Sequence, residues 1–188
     1  IGRNFCIQTK EINRTIWNIL MKKKVSLFWF RRDLRLYDNH GLYQALKQTT
    51  DVLPIFIFDT SILDALPKND ARVEFIHEQL KTIHTNLQAH SSGLSVYYGV
   101  PETIFNQLTN EYDVKTVYCN RDYEPYALSR DQNISNLLNS KSIVFETFKD
   151  HVIFEQNEIT KDDGLPYKVY TPFSKKWLAA FDTDHCSA

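Results

Sequence analysis

Short, almost fully apolar runs alternate along this chain with longer amphipathic stretches, and this alternation constrains the fold more than any other feature. The clearest apolar runs are VSLFWF at 25–30 and VLPIFIF at 52–58, and weaker ones follow at 94–98, 115–120 and 142–147. Between the runs, apolar residues recur every three or four positions, most clearly at 70–89. Strands that are apolar on both faces and are separated by helices predict a parallel sheet covered on both sides.

The fold class that follows is α/β, with a five-stranded, parallel, doubly wound (Rossmann-like) sheet and helices on both faces. The first three helices are predicted at 39–48, 70–89 and 101–111, with Asn39 and Asp70 placed to cap the first two and Pro101 to begin the third. Further helices are predicted at 127–139 and 172–181. After Lys149 the periodicity is lost, so a long irregular connector is predicted. A connector of this length indicates a further domain.

Composition restricts the class of protein further. The net charge is -1, so no general basic excess favours DNA. The three cysteines have no metal-like spacing, which is typical of a reducing compartment, and we expect the cytoplasm. No apolar run reaches the roughly 18 residues of a membrane span. Because Met21 opens a native-looking start, we interpret 1–20 as an upstream extension, 21–150 as the α/β domain and 151–188 as the connector and the start of a further domain.

Charged residues gather where the predicted strands end, which is where doubly wound sheets bind ligands. After the first strand comes RRDLR at 31–35, whose arginines either face a ligand or partner domain, or pair with Asp33, Asp38 or Asp122 to fix the loops. After the fourth strand comes NRDYEPY at 120–126. Its acidic residues Asp122 and Glu124 suit either the N–H groups of a planar heteroaromatic ligand or a helix N-terminus.

Several common site types do not occur in the sequence. There is no G-x-G-x-x-G, no G-x-x-x-x-G-K-[ST] and no G-x-S-x-G, which argues against an ordinary dinucleotide site, a P-loop and a hydrolase elbow. The six histidines form no metal-ligand pattern, and Cys119 is placed as a core residue. No catalytic residue and no metal ligand is therefore assigned.

Five segments together resemble the photolyase/cryptochrome family. They are FWFRRDLRLYDNHGL, VLPIFIFD, ARVEFIHEQL, YCNRDYEPYALSRD and DGLPYKVYTPFSKKW, in the family's order and spacing from about 22 to 181. The resemblance implies an N-terminal α/β domain, a long connector and a larger helical domain. That helical domain would hold FAD and contact damaged DNA, and the α/β domain would hold an antenna chromophore.

The resemblance leaves three functions to weigh. The first is the antenna-binding part of a deoxyribodipyrimidine photolyase, a monomer whose partner is its own helical FAD domain, so that residues 1–188 alone do not repair DNA. The second is the corresponding part of a cryptochrome photoreceptor. The third is a stand-alone nucleotide-binding module, against which the lack of glycine in CNRDYEPY argues. A non-functional gene fragment is a further alternative.

The resemblance also implies chromophore-binding positions. In deazaflavin-binding members, contacts come from the end of the second strand, from a basic residue ahead of the long helix and from the D-x-E segment. The matching residues here are Phe58, Asp59, Arg72, Asp122 and Glu124.

Folate-binding members of the bacterial type use an Asn-Glu pair just after the D-x-E segment. Tyr126 and Ala127 stand at the matching positions in this sequence. A deazaflavin or a flavin is therefore favoured over a folate as the antenna, and a site without an antenna is the remaining alternative.

Overall fold

The computed structural model describes residues 22–182, which include a five-stranded sheet in the order β3-β2-β1-β4-β5. All four strand pairs are parallel, as predicted. The chain builds outward from β1 to β3 and then crosses to β4 on the other side of β1, so the strand order reverses between β1 and β4. The strands are β1 Lys24–Phe30, β2 Val52–Asp59, β3 Ser95–Gly99, β4 Asp113–Asn120 and β5 Val144–Phe148.

Helices connect the strands and cover both faces of the sheet. Every predicted helix is confirmed, with boundaries that differ by no more than two residues. Asn39 and Asp70 cap their helices by accepting from Leu42 N and Arg72 N. The one-turn helix α2 was not predicted. The helices are α1 His40–Gln48, α2 Thr60–Leu63, α3 Ala71–Gln88, α4 Pro101–Glu111, α5 Pro125–Asn139 and α6 Tyr170–Ala180.

The central strand β1 supplies side chains to two separate cores. Leu27 and Trp29 point to the face covered by α4 and α5, and Phe28 and Phe30 point to the face covered by α1 and α3. All four are almost fully buried. Since burial of such a side chain contributes about 1.5–3 kcal/mol, the two-sided apolar run is sufficient to hold this strand at the centre.

The predicted loss of regular structure after Lys149 is confirmed, and the first part of this segment, for which we keep the name connector, is bound to the carboxyl edge of the sheet. Turns but no helix or strand occur between 149 and 169. Arg121, next to the end of β4, donates to both carboxylate oxygens of Glu155 at 2.7 and 2.6 Å, and the Tyr123 hydroxyl donates to the same group at 2.9 Å. The connector therefore forms one wall of this edge.

No helix between residues 22 and 182 is both long enough and apolar enough to cross a membrane. The predicted upstream extension, 1–20, lies outside the residues that the structure describes.

Candidate functional site

An open cleft of about 480 Å³ lies at the carboxyl edge of the sheet. Its walls are the segments that follow β1 and β4 and the start of the connector. The strand order reverses between β1 and β4, so the cleft lies where doubly wound sheets bind their ligands. Its volume is in the range of small-molecule sites. The lining residues are Arg32, Asp122, Tyr123, Glu124 and His151.

The two predicted acidic residues of the D-x-E segment are brought together in this cleft by one arginine. Arg32 Nη1 lies 3.6 Å from Asp122 Oδ1 and 3.3 Å from Glu124 Oε1. Asp122 is buried and also accepts from the backbone N–H of Glu124 at 3.3 Å. The arginine offsets the repulsion between the two carboxylates, whose remaining lone pairs are available to N–H donors.

Asp59 and Phe58 lie at the end of β2 and do not line the cleft. Asp59 is buried, and both of its oxygens are occupied: one accepts from Ser61 N at 3.0 Å and caps α2, and the other accepts from the Tyr126 hydroxyl at 2.6 Å. Burial, together with this bond, raises the pKa of Tyr126. Phe58 packs edge-on against Phe56, with ring centroids 5.0 Å apart. Tyr126 thus ties the end of β2 to the start of α5.

Tyr126→Phe should reduce the free energy of unfolding by about 1 kcal/mol, since a buried carboxylate oxygen of Asp59 loses its donor while the ring packing is kept. Urea unfolding of the two proteins measures the difference. Tyr98→Phe is the matched control, because Tyr98 is 67% exposed and should change stability by less than about 0.5 kcal/mol. Equal effects at both positions would contradict the role given to the Tyr126 hydroxyl.

Arg72 contacts its own helix cap. Its side chain is 71% exposed and donates through Nε and Nη2 to Asp70, at 2.9 and 2.6 Å. The hydrogen bonds from Arg72 lower the pKa of Asp70 to about 2. Among the five predicted positions, therefore, only Asp122 and Glu124 line the cleft, and the assignment of Phe58, Asp59 and Arg72 stays a prediction.

The other arginines of RRDLR fix the loops of the domain, one of the two alternatives that the sequence left open. Arg31 pairs with Asp131 on α5, and Arg35 pairs with Asp150 at the start of the connector. Neither acid was predicted as a partner, because they lie 100 and 115 residues along the chain from their arginines. Only the strand order brings them together.

His151 is the cleft residue that the sequence did not indicate. Its position in an aperiodic connector carries no local signal, and no histidine pattern marked it. No group of three metal-type ligands occurs among residues 22–182.

Comparison with known proteins identifies the family. Residues 26–187 match the family model described as DNA photolyase. A deoxyribodipyrimidine photo-lyase from Synechococcus is 35% identical over 153 residues, which are 81% of this chain and 32% of that protein. The crystal structure of a bacterial class III photolyase from Agrobacterium tumefaciens is 30% identical with a TM-score of 0.77, over 88% of this chain and 33% of that one.

An archaeal photolyase from Sulfolobus tokodaii, solved with two FAD molecules, is 29% identical with a TM-score of 0.66, over 81% of this chain and 34% of that one. The chain thus spans about a third of the length of these relatives. The match extends along nearly the whole chain, which favours this family over a stand-alone nucleotide-binding module. The fold, the ordered motifs and the family match agree, and the chain belongs to the DNA photolyase family.

Proposed function

We propose that these residues form the antenna-chromophore-binding α/β part of a light-dependent DNA repair enzyme, a deoxyribodipyrimidine photolyase. The observation that carries the proposal is the cleft at the β1/β4 edge, where a buried carboxylate and a second carboxylate meet one arginine. Photolyase relatives at 35% and 30% identity support the assignment.

The chemistry of the cleft fits a planar heteroaromatic ring. Asp122 and Glu124 accept from ring N–H groups, and Arg32 donates to ring carbonyl oxygens. Tyr123 adds an aromatic wall, and its hydroxyl is engaged by Glu155 on the connector. These residues would hold and orient the ring, and the chromophore would supply absorption of visible or near-ultraviolet light.

We favour a flavin or a deazaflavin over a folate as the chromophore. Tyr126 and Ala127 replace the Asn-Glu pair of the bacterial folate mode, and the Tyr126 hydroxyl is committed to Asp59. The related Sulfolobus tokodaii photolyase was solved with two FAD molecules, with the implication of a novel light-harvesting cofactor. The catalytic FAD and the damaged DNA would contact the further domain of a full-length photolyase.

Asp122→Ala and Glu124→Ala should each weaken chromophore binding about tenfold or more, since each removes a charged acceptor. The measurement is a fluorescence titration of the full chain with riboflavin, FAD, a 5-deazaflavin and a folate in turn. Asp51→Ala is the matched control, because Asp51 is exposed and precedes β2 at the opposite edge of the sheet. Dissociation constants that are unchanged in both cleft variants would remove these two residues from the site.

A further inference from the structure

The first residues of the connector, 149–158, close on themselves and form a loop that we call the clasp loop. Lys149 Nζ donates to both carboxylate oxygens of Glu158, at 3.0 Å each. The same carboxylate accepts from the backbone N–H of Glu155, at 2.6 Å. Because an ion pair joins its two ends, the segment resembles an Ω-loop, a compact surface loop that can open as one local unit.

The clasp loop has one anchor on the β1 side of the cleft. There, Asp150 accepts from Arg35 Nη2 at 2.9 Å and from the backbone N–H of His40 at 3.1 Å. The Asp150 side chain is only 2% exposed. Since breaking an ion pair at a buried carboxylate leaves a charge poorly solvated, we expect this anchor to stay closed.

The second anchor lies on the β4 side and is more open to solvent. Glu155 accepts from Arg121 and from the Tyr123 hydroxyl. The side chains of Arg121 and Glu155 are 44% and 23% exposed. A partly exposed ion pair contributes little to stability, because water solvates the separated charges well. The β4 anchor should therefore open more easily than the β1 anchor.

Opening of the β4 anchor would change the cleft at two places. His151 lies between the anchors and lines the cleft, so it would move with the clasp loop. Tyr123 also lines the cleft and would lose its acceptor. Burial, together with the bond to Glu155, raises the pKa of Tyr123 to about 12, so its hydroxyl is a donor at neutral pH.

The last helix, α6, reaches the β4 anchor through one aromatic contact. Phe154 precedes Glu155, and its ring packs edge-on against Trp177 on α6, with centroids 5.4 Å apart. Trp177 also stacks on Phe181, just after α6, at 5.2 Å. An edge-on pair favours a particular orientation of the two rings, because the edge and the face of a ring carry opposite partial charges. The position of α6 therefore affects the position of Glu155.

We propose that the clasp loop is a lid on the cleft, hinged at Asp150 and closed by Glu155, and that α6 favours the closed position through the Phe154–Trp177 contact. Glu155 is then a positioning residue, which acts on the cleft through Tyr123 and through the loop. The inference rests on the proposed function for the ligand that the lid encloses, but the motion itself is a property of the ligand-free chain. It adds control of access to the cleft by a segment outside the sheet.

The test is relaxation-dispersion NMR of the full chain without ligand, which reports opening on the microsecond to millisecond timescale. Glu155→Gln removes the charge of the β4 anchor and keeps an oxygen that can accept from Tyr123. We expect residues 151–158 and Tyr123 to share one exchange process, whose open population rises about two- to fivefold in Glu155→Gln, the factor that a partly exposed ion pair contributes. Asp113→Asn, which breaks an exposed pair with Lys115 away from the cleft, is the matched control and should behave like the wild type.

The role of α6 is tested in the same experiment. Trp177→Leu and Phe154→Leu each break the ring contact from one side, and each should raise the open population. Either change should add little in the Glu155→Gln background, because both act through the same anchor. Flat dispersion in the amides of β1 reports that the fold of each variant is intact, and if one of the two leucine variants fails this check, the other decides.

Binding kinetics give a second readout. In stopped-flow fluorescence with riboflavin, Glu155→Gln should raise the association and dissociation rates together, since a lid limits both entry and exit. An association rate equal to that of the wild type would overturn the lid.

Two dispersion results would also overturn the inference and leave the proposed function standing. One is an open population that Glu155→Gln changes no more than Asp113→Asn does, and the other is wild-type behaviour in both leucine variants. If riboflavin does not bind to the wild type, that result counts against the proposed function, and the dispersion experiment still decides whether the clasp loop opens as a lid.

Discussion

Replacing Gly41 with alanine should destabilise the domain by about 2 kcal/mol, although the same change at a typical helix position is stabilising. A Cβ atom at Gly41 would lie 2.6 Å from Asn120 Oδ1 and 3.1 Å from the Phe28 ring. The backbone N–H of Gly41 also donates to Asn120 Oδ1, at 2.8 Å. The added methyl group would therefore push away the acceptor that the backbone needs.

Asn120 cannot move aside without breaking other buried contacts. Its Nδ2 donates to Asp33 Oδ2 at 2.6 Å and to Asn39 Oδ1 at 2.8 Å. Asn39 Oδ1 in turn caps α1 through Leu42 N, at 3.1 Å. One amide thus links the end of β4, the loop after β1 and the start of α1, and these segments support the cleft.

Urea unfolding of Gly41→Ala, Asn120→Ala and the double variant measures the coupling. Removing the Asn120 side chain creates space for the new methyl group, so Gly41→Ala should cost much less in that background. Strictly additive losses of unfolding free energy, or a Gly41→Ala protein as stable as the wild type, would show that the close approach does not control this position.

Asp131→Ala should reduce the unfolding free energy by about 3 kcal/mol or more, because it leaves two buried guanidinium groups without their carboxylate. The side chains of Arg31 and Arg130 are only 5% and 7% exposed. Arg31 Nη1 donates to both oxygens of Asp131, at 2.7 and 2.5 Å, and Arg130 donates through Nε and Nη2 to Oδ1, at 3.2 and 3.0 Å.

Trp29 alone cannot replace the lost carboxylate. The Arg31 and Arg130 guanidinium carbons lie 5.2 and 4.8 Å from its ring, so the indole is already in contact with both cations. Arg31 Nη2 is buried and has no hydrogen-bond partner in the described part of the chain. Each cation would thus keep an aromatic contact and lose its counter-charge, which is the costly outcome for a buried ion pair.

Asp113→Ala is the matched control for Asp131→Ala. Asp113 pairs with Lys115 at 2.9 Å, but the lysine side chain is 57% exposed, and exposed pairs contribute less than about 1 kcal/mol. Urea unfolding should therefore separate the two variants clearly. An Asp131→Ala protein that loses no more stability than the Asp113→Ala protein would contradict a structural role for this pair.

The sequence predicts those parts of the fold that depend on local signals. The apolar run of β1 indicates a strand buried on both faces, and Asn39, Asp70 and Pro101 mark helix starts that the structure confirms. Each of these signals depends on side chains within a few residues of the backbone that they affect. Because doubly wound sheets bind ligands at the carboxyl ends of their strands, the sequence also indicates the edge of the sheet at which the cleft lies, even without the strand order.

The parts that could not be predicted depend on contacts between distant segments. Asp131 and Asp150 can pair with Arg31 and Arg35 only because β1 lies beside β4 and because the connector returns to the same edge of the sheet. In the sequence, Gly41 looks like an ordinary helical glycine. Its special role becomes visible only in the fold, where it contacts Asn120, which is 79 residues away along the chain. For Arg72, by contrast, a local contact was missed. The resemblance assigns its side chain to the chromophore, but in the structure this side chain donates to Asp70, two residues earlier.

The central claim is that the carboxyl edge of this sheet holds an antenna chromophore. The most direct test is an absorbance and fluorescence spectrum, from about 330 to 500 nm, of the full chain after incubation with a flavin, a deazaflavin and a folate in turn and removal of free ligand. We predict a retained flavin or deazaflavin band that is lost in the Asp122→Ala/Glu124→Ala double variant. A wild-type chain that stays colourless with every chromophore would contradict the claim.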